Sequence, residues 1–310
     1  MDSATVKVAA FVIAVLLLSS YLSILLIVKP ILDFTINKTF VKDVSVHQSI
    51  DEVTVRVNTF RRLDLLETFL SHYHRCSVVK QIQVIWSDPE NNAPVEWSKR
   101  YVDGRVIFEV HQTNSLNHRF HNITPVPTEA VLSIDDDLVV PCDVIERSFR
   151  LWRSNKRVLV GFSPRMVVWD IITGTTKYLH WQHTWWTGIY SVVLTKACFL
   201  HREYLLDYVA TIPVQFLKHI DIVRNCEDLA MSFLVAKRSD AAPVWFQGVV
   251  YETGGTAIRI SSSHDHFDRR GECISQLTDN TTGSWPFVTG FQKDVPVNVF
   301  DVIRHFYDKK

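Results

Sequence analysis

The chain has 310 residues, of which 47% are hydrophobic and 21% charged, and its formal net charge is +0. A balanced charge with no basic cluster excludes nucleic acid as a partner, because polyphosphate binding calls for a basic domain or stripe. The length gives ample core for one large domain, and five scattered cysteines exclude a zinc framework or a disulfide-dense scaffold.

From the N-terminus, residues 8–28 are apolar apart from isolated Ser and Tyr. About 20 such residues span the hydrocarbon core as a helix. The apolar core of a cleaved signal peptide is only about 7–15 residues long and precedes a small-residue cleavage site. Here the run ends in Lys29-Pro30 with no such site. The expected layout is a cytosolic tail over 1–7, a single-pass transmembrane anchor over 8–28, a stem over 29–50 and a luminal domain over 51–310. The sequons at Asn37, Asn122 and Asn280 suit a luminal body if glycosylated. This predicts a type II protein of the Golgi or ER membrane.

Beyond the stem, residues 53–57 alternate as a strand and 61–70 carry apolar residues at helical spacing. Residues 81–86 read as the next strand, closing at Ser87-Asp88-Pro89. Residues 106–110 and 130–134 read as two more. Strand, helix, strand and further strands at this spacing predict a βαβ unit in a mostly parallel sheet, with ligands at the carboxyl ends of its strands.

The last of these strands runs into Asp135-Asp136-Asp137. Alternate residues of an extended backbone point the same way, so Asp135 and Asp137 are expected to act together. Close carboxylates repel, which favours a bound cation. Mg²⁺ or Mn²⁺ held by one or two carboxylates completes its shell with substrate phosphates, so the run predicts a nucleotide-sugar or other diphosphate site. A solvated acidic turn is the plainer alternative.

In the second half, 158–162 and 190–195 read as strands, and 228–236 as a helix that starts at acidic residues. Glu227 and Asp228 have a plain role there, since carboxylates complement a helix N-terminus. Trp181, Trp185 and Trp186 are expected as packing residues more than acceptor platforms. Cys142 and Cys198 flank apolar segments and are expected as buried thiols. His264 and His266 form a pair that lacks further metal ligands.

Taken in order, Ser133-Ile134-Asp135-Asp136-Asp137, Val160-Gly161-Phe162-Ser163-Pro164-Arg165, Tyr190-Ser191-Val192-Val193-Leu194, Asn225-Cys226-Glu227-Asp228-Leu229-Ala230-Met231 and Arg270-x-x-Cys273 resemble the exostosin-like glycosyltransferases, glycosyltransferase family 64. The similarity runs from about residue 53 to about 277. Trp86-Ser87-Asp88-Pro89, Ser115-Leu116-Asn117 and Trp185-Trp186 look most like the plant branch that mannosylates glycosyl inositol phosphorylceramide.

The resemblance implies an α/β GT-A glycosyltransferase fold, a Rossmann-like, mostly parallel sheet with an adjoining acceptor-site region. It implies a retaining, metal-dependent transfer with Mn²⁺, or Mg²⁺, as cofactor. The partners implied are a nucleotide-sugar donor, with GDP-mannose leading, and a glycolipid or glycan acceptor. UDP-GlcNAc or UDP-GalNAc is the alternative donor, as in the animal branch. A non-catalytic luminal glycan- or partner-binding protein is the alternative of another class. By the same resemblance Asn58, Arg62, Ser87, Asn114 and Arg119 hold the nucleotide. Asp135 and Asp136 meet the donor sugar, and Asp135 and Asp137 the metal. Asp228, Glu227 and Arg270 are catalytic, and Cys226 pairs with Cys273.

Overall fold

The computed structural model describes residues 52–100, 104–254, 266–281 and 286–291. The cytosolic tail, the anchor, the whole stem and the sequon at Asn37 lie outside the described residues, as does His264. Among the described residues no helix is long and apolar enough to cross a membrane.

The first half is a run of parallel strands. β1 (Val53–Thr59) leads through α1 (Leu63–Tyr73) to β2 (Val79–Trp86), then to β3 (Val106–Val110) and β4 (Ala130–Asp135). β1 pairs in parallel with β2 on one side and β4 on the other, and β2 with β3. The register sets Asn58 against Asp135 and Thr59 against Trp86, so the carboxyl ends of the strands open on one edge. The expected strands are present, three of them longer and β3 with the bounds expected, and the helix is shifted toward the C-terminus.

Residues 53–57 depart from the expected alternation, because β1 is covered on both faces. Its even face would otherwise be solvated, but it is closed by the 3₁₀ turn Leu116–Phe120. Arg56, fully buried, donates to the carbonyls of Arg119 (3.2 Å) and His121 (2.6 Å), to Gln83, and to Glu109 at 3.4 Å. A buried cation is tolerated when every donor finds an acceptor, and this one stitches the turn to the sheet.

After β4 come β5 (Leu138–Val139), α2 (Cys142–Arg153), β6 (Val160–Gly161), β7 (Pro164–Asp170) and β8 (Thr175–Leu179). α3 (Trp181–Thr187), β9 (Ile189–Tyr190), β10 (Val192–Val193), β11 (Ala197–His201), α4 (Glu203–Thr211) and α5 (Val214–Val223) follow. The chain is completed by α6 (Glu227–Ser239), β12 (Val244–Trp245), β13 (Tyr251–Glu252), α7 (His266–Thr281) and β14 (Gly290–Phe291). The main sheet has seven strands in the order β12-β6-β11-β4-β1-β2-β3, and only β11 runs against its neighbours. Its Ala197–Leu200 stretch is fully buried between β4 and β6.

The strand expected over 190–195 is broken in two, because Ser191 turns its hydroxyl to the β7 backbone and receives the Val167 N–H at 3.0 Å. β7 and β8 form a hairpin against which α7 packs. α6 is buried along nearly its whole length, from Asp228 to Ala236, and forms the core's axis.

Two expectations need correction. Cys142 is not a thiol: it is bonded to Cys76, tying the end of α1 to the start of α2. Cys198 is the buried free cysteine. Trp181, Trp185 and Trp186 are not packed away either, being 42%, 45% and 48% exposed. α3 is short and covers β7 with Thr184, leaving its indoles outside.

Candidate active site

β4 delivers the acidic run to the open edge, but strand geometry ends at Asp135. Asp136 and Asp137 form the turn into β5, so the three carboxylates diverge. Asp136 points inward, accepting from the Thr59 hydroxyl at 2.8 Å and from Arg62 at 3.0 Å. Burial pushes its pKa up to about 6, against the pull of Arg62 and Thr59. Asp135 and Asp137 remain partly exposed. Asp135 accepts from Arg119, and Asp137 lies 3.8 Å from Arg62.

Burial and then the Asp135 carboxylate raise the pKa of Asp137, so these two groups feel each other's charge. The Asp137 carbonyl is fixed by Thr253, whose N–H and hydroxyl donate at 2.7 and 3.1 Å. The next residue, Gly254, lies so close to Asp137 that a side chain there would press on it. A Cβ there would sit 3.0 Å from Asp137 Cβ and 3.1 Å from its Oδ2. Asp135 and Asp137 are thus the pair that could hold a divalent cation. A cradle that crowds like charges, with hard oxygen donors on a fixed turn, fits Mn²⁺ or Mg²⁺.

Arg119 links this cluster to a second one. It projects from the 3₁₀ turn that begins at Ser115, whose hydroxyl accepts the Asn117 N–H at 3.1 Å. Asn117 is itself pinned by Asp221 (2.9 Å), the Leu217 carbonyl (3.0 Å) and the Tyr208 hydroxyl (2.8 Å). Burial alone would lower the Arg119 pKa, yet Asp135, with Glu227 and Asp228, raises it.

The second cluster is Glu227, Asp228 and Arg270. Cys226 precedes α6 in the left-handed conformation, with φ +81°, and its disulfide to Cys273 holds it there. Such a backbone is uncommon for a side chain other than glycine and needs surrounding structure to enforce it. Arg270 lies one turn before Cys273 on the same face of α7. Its Nη2 donates to both Asp228 carboxylate oxygens, at 2.7 and 2.6 Å, and its Nη1 donates to the Asn225 side chain at 2.9 Å. The Tyr178 ring lies beneath it, 4.7 Å from Cζ. Asp228 and Arg270 are 7% and 5% exposed. Burial works against the Arg270 charge, but Asp228 more than restores it. Glu227, half-buried, is pushed up to about 7 by burial and then by Asp228.

The remaining nucleotide candidates are close by. The Ser87 hydroxyl donates to Asn58 Oδ1 at 2.8 Å, and Asn58 donates to the Ser115 carbonyl at 3.4 Å. Arg224 donates to the Asn114 carbonyl. Arg62 and Arg119, expected on the nucleotide, are engaged by the acidic run. Tyr178, Asn225, Thr59 and Gly254 are site residues that the sequence reading missed. Asn225 stands in the quoted motif with no role read for it, while Tyr178 sits outside any motif, on a hairpin with no turn signal beyond Gly174.

The molecule thus presents a mostly parallel α/β sheet with an acidic turn at its open edge and a buried Asp–Arg pair beside it. A solved mannosyltransferase from Pyrobaculum calidifontis, in complex with GDP-Man and Mn²⁺, shares the fold with a TM-score of 0.51 at 13% identity, over 89% of this chain and 76% of that one. The Glycosyl transferase family 64 domain matches residues 53–290, and the chain belongs to that family. Glycosylinositol phosphorylceramide mannosyl transferase 1 of Arabidopsis thaliana is 37% identical, over 78% of this chain and 75% of the relative. The exostosin-like-3 homolog of Caenorhabditis elegans is 29% identical over 77% of this chain, which spans only 28% of that longer protein.

Proposed function

We propose that the protein is a metal-dependent, retaining hexosyltransferase that moves mannose from GDP-mannose to a glycolipid of the inositol phosphorylceramide type. The observation that carries this reading is the Asp228–Arg270 pair, joined electrostatically through Arg119 to the acidic run. Identity to the plant mannosyltransferase supports the choice of sugar and acceptor. The proposed setting is the Golgi or ER membrane, with residues 8–28 as a single-pass anchor and the catalytic body luminal.

In the reaction the bond between the anomeric carbon and the diphosphate oxygen breaks, a bond to the acceptor hydroxyl oxygen forms on the same face, and the hydroxyl proton passes to the departing diphosphate. Asn58, Ser87 and Asn114 surround the nucleoside, and Arg62 and Arg119 face the diphosphate. Among the described residues, Arg119 and Arg270 each keep a buried Nε–H with no acceptor, a donor suited to an anionic ligand. Asp135 and Asp137 would hold the cation, which when bound neutralises charge on the departing diphosphate. Asp136 orients Arg62 and borders the donor sugar. Asp228 faces the positive charge that develops on the sugar, with Glu227 as a second carboxylate. Arg270 sets the direction of Asp228.

The test is nucleotide release by the purified protein from GDP-mannose, UDP-GlcNAc and UDP-GalNAc, each with Mn²⁺ and with chelator. Mn²⁺-dependent release from GDP-mannose alone is expected. Release only from a UDP-sugar moves the assignment to the N-acetylhexosaminyl branch. No release and no metal-dependent binding of any donor overturns the enzymatic reading in favour of a non-catalytic binding protein.

A further inference from the structure

Behind the nucleotide side of the site lies a cluster that the transfer chemistry does not use: His111, His118 and His121. Each offers a ring nitrogen, and these atoms all lie within 4.8 Å of one another. His111 and His118 are buried and His121 half-buried. Two elements bring them together. His111 follows β3 and is fixed by its N–H to the Trp86 carbonyl at 2.9 Å, His118 sits in the 3₁₀ turn, and His121 closes that turn.

We infer that His111, His118 and His121 form a second metal site, built for a borderline-soft divalent cation of the Zn²⁺ class. Three imidazoles with one open position are a recurrent Zn²⁺ set, whereas Mn²⁺ prefers the oxygen donors of the acidic turn. The supporting shell is present. Glu109 accepts from His111 Nε2 at 2.9 Å and is itself held by the Thr124 N–H at 2.9 Å, which leaves His111 Nδ1 for the metal. A carboxylate on the far nitrogen is the usual way a protein orients a ligating imidazole. His118 makes only long contacts, to Ser87 at 3.5 Å and Thr113 at 3.3 Å, so either nitrogen is readily released.

One of the three ring separations already matches a bound state. Tetrahedral coordination at about 2 Å sets imidazole centroids about 5 Å apart. The separations here are 5.2 Å for His118–His121, 6.1 Å for His111–His121 and 3.8 Å for His111–His118. The stacked His111–His118 pair must therefore part as the metal enters. A cation there would fasten the turn that carries Arg119 to the floor formed by Ser87 and Asn58. The other His-containing trio, His72 with Cys76 and Cys142, is ruled out because its sulfurs are bonded to each other.

The test is Co²⁺ titration of metal-stripped, full-length protein already saturated with Mn²⁺. The expected result is one further equivalent with the strong visible bands of a tetrahedral site, bleached by Zn²⁺. Asp137→Ala retains the bands. His121→Gln, at the most accessible position, loses them and weakens Zn²⁺ binding at least ~100-fold, while Glu109→Gln weakens it ~10-fold. An unchanged thermal midpoint without metal shows that His121→Gln is folded. Co²⁺ uptake only in competition with Mn²⁺, or bands that survive His121→Gln, overturns the assignment.

Discussion

Asp228 and Arg270 stand 42 positions apart, yet both carboxylate oxygens of the one are gripped by a single guanidinium nitrogen of the other. The contact is buried, so its two halves are not interchangeable. Asp228→Asn keeps acceptor capacity and is expected to lower turnover about 10²- to 10³-fold with a modest loss of thermal stability. Arg270→Met strands a buried carboxylate and is expected to destabilise the fold by about 3–5 kcal/mol. Denaturant unfolding of both variants beside steady-state turnover separates the effects. Full turnover by Asp228→Asn would end its catalytic assignment.

The acidic turn gives a second expectation. Asp137→Ala removes half of the proposed metal pair and should abolish both Mn²⁺ binding and transfer in a folded protein. Gly254→Ala is subtler, since its new methyl meets Asp137 at 3.0 Å. It should weaken Mn²⁺ binding while leaving the fold intact. Calorimetric titration with Mn²⁺ reads both, and wild-type affinity in Asp137→Ala would remove that residue from the metal site.

The raised pKa of Asp136, about 6, sets a pH dependence whose sign can be worked out. Between its ordinary carboxylate value and about 6, the folded chain holds a proton that the unfolded chain has released. This contribution to stability is therefore full at low pH and is lost as pH rises through about 6. Asp136→Asn is expected to flatten that part of the curve. Asp137 is raised as well, so Mn²⁺ affinity should fall as pH drops, each bound ion displacing protons. Glu227, pushed up to about 7, predicts turnover that rises with pH near neutrality, and Glu227→Gln should remove that inflection. Thermal midpoints and rates measured from pH 5 to 8 test all three.

The disulfides make separable predictions. Opening either bridge should cost about 2–5 kcal/mol of stability. Only the Cys226–Cys273 bridge borders catalytic groups, so replacing both of those cysteines by Ala should also depress turnover in the folded population. Replacing Cys76 and Cys142 should not. Non-reduced peptide mapping is expected to leave Cys198 as the single thiol, unreactive until the protein unfolds because burial raises its pKa.

Much of this site was legible in the residues. β-branched runs ending in Ser87 and in Asp135 marked two strand ends, and the motif at Asn225–Asp228 with Arg270 and Cys273 marked the second cluster. What escaped has physical reasons. Arg56 in a strand reads as a solvated face, because the turn that covers it comes more than 60 positions later. Cys142 beside an apolar segment looks the same whether its thiol is free or bonded to Cys76. The three indoles of α3 look like core by composition, yet a helix of 7 residues offers little buried face. Each error concerns a contact made across the sequence, which local pattern does not carry.

Cys226 is held in a left-handed backbone by a bond that forms only under oxidising conditions. The chain can therefore reach its fold and still fall short of being an enzyme. Material made in a reducing cytosol, bacterial or otherwise, should be less stable, and its folded fraction should bind nucleotide at the sheet edge but show depressed turnover until Cys226 and Cys273 are joined. Maturation of the active site is then a redox event, separate in time from folding of the sheet, and recovery of activity on mild oxidation would count the molecules that have completed it.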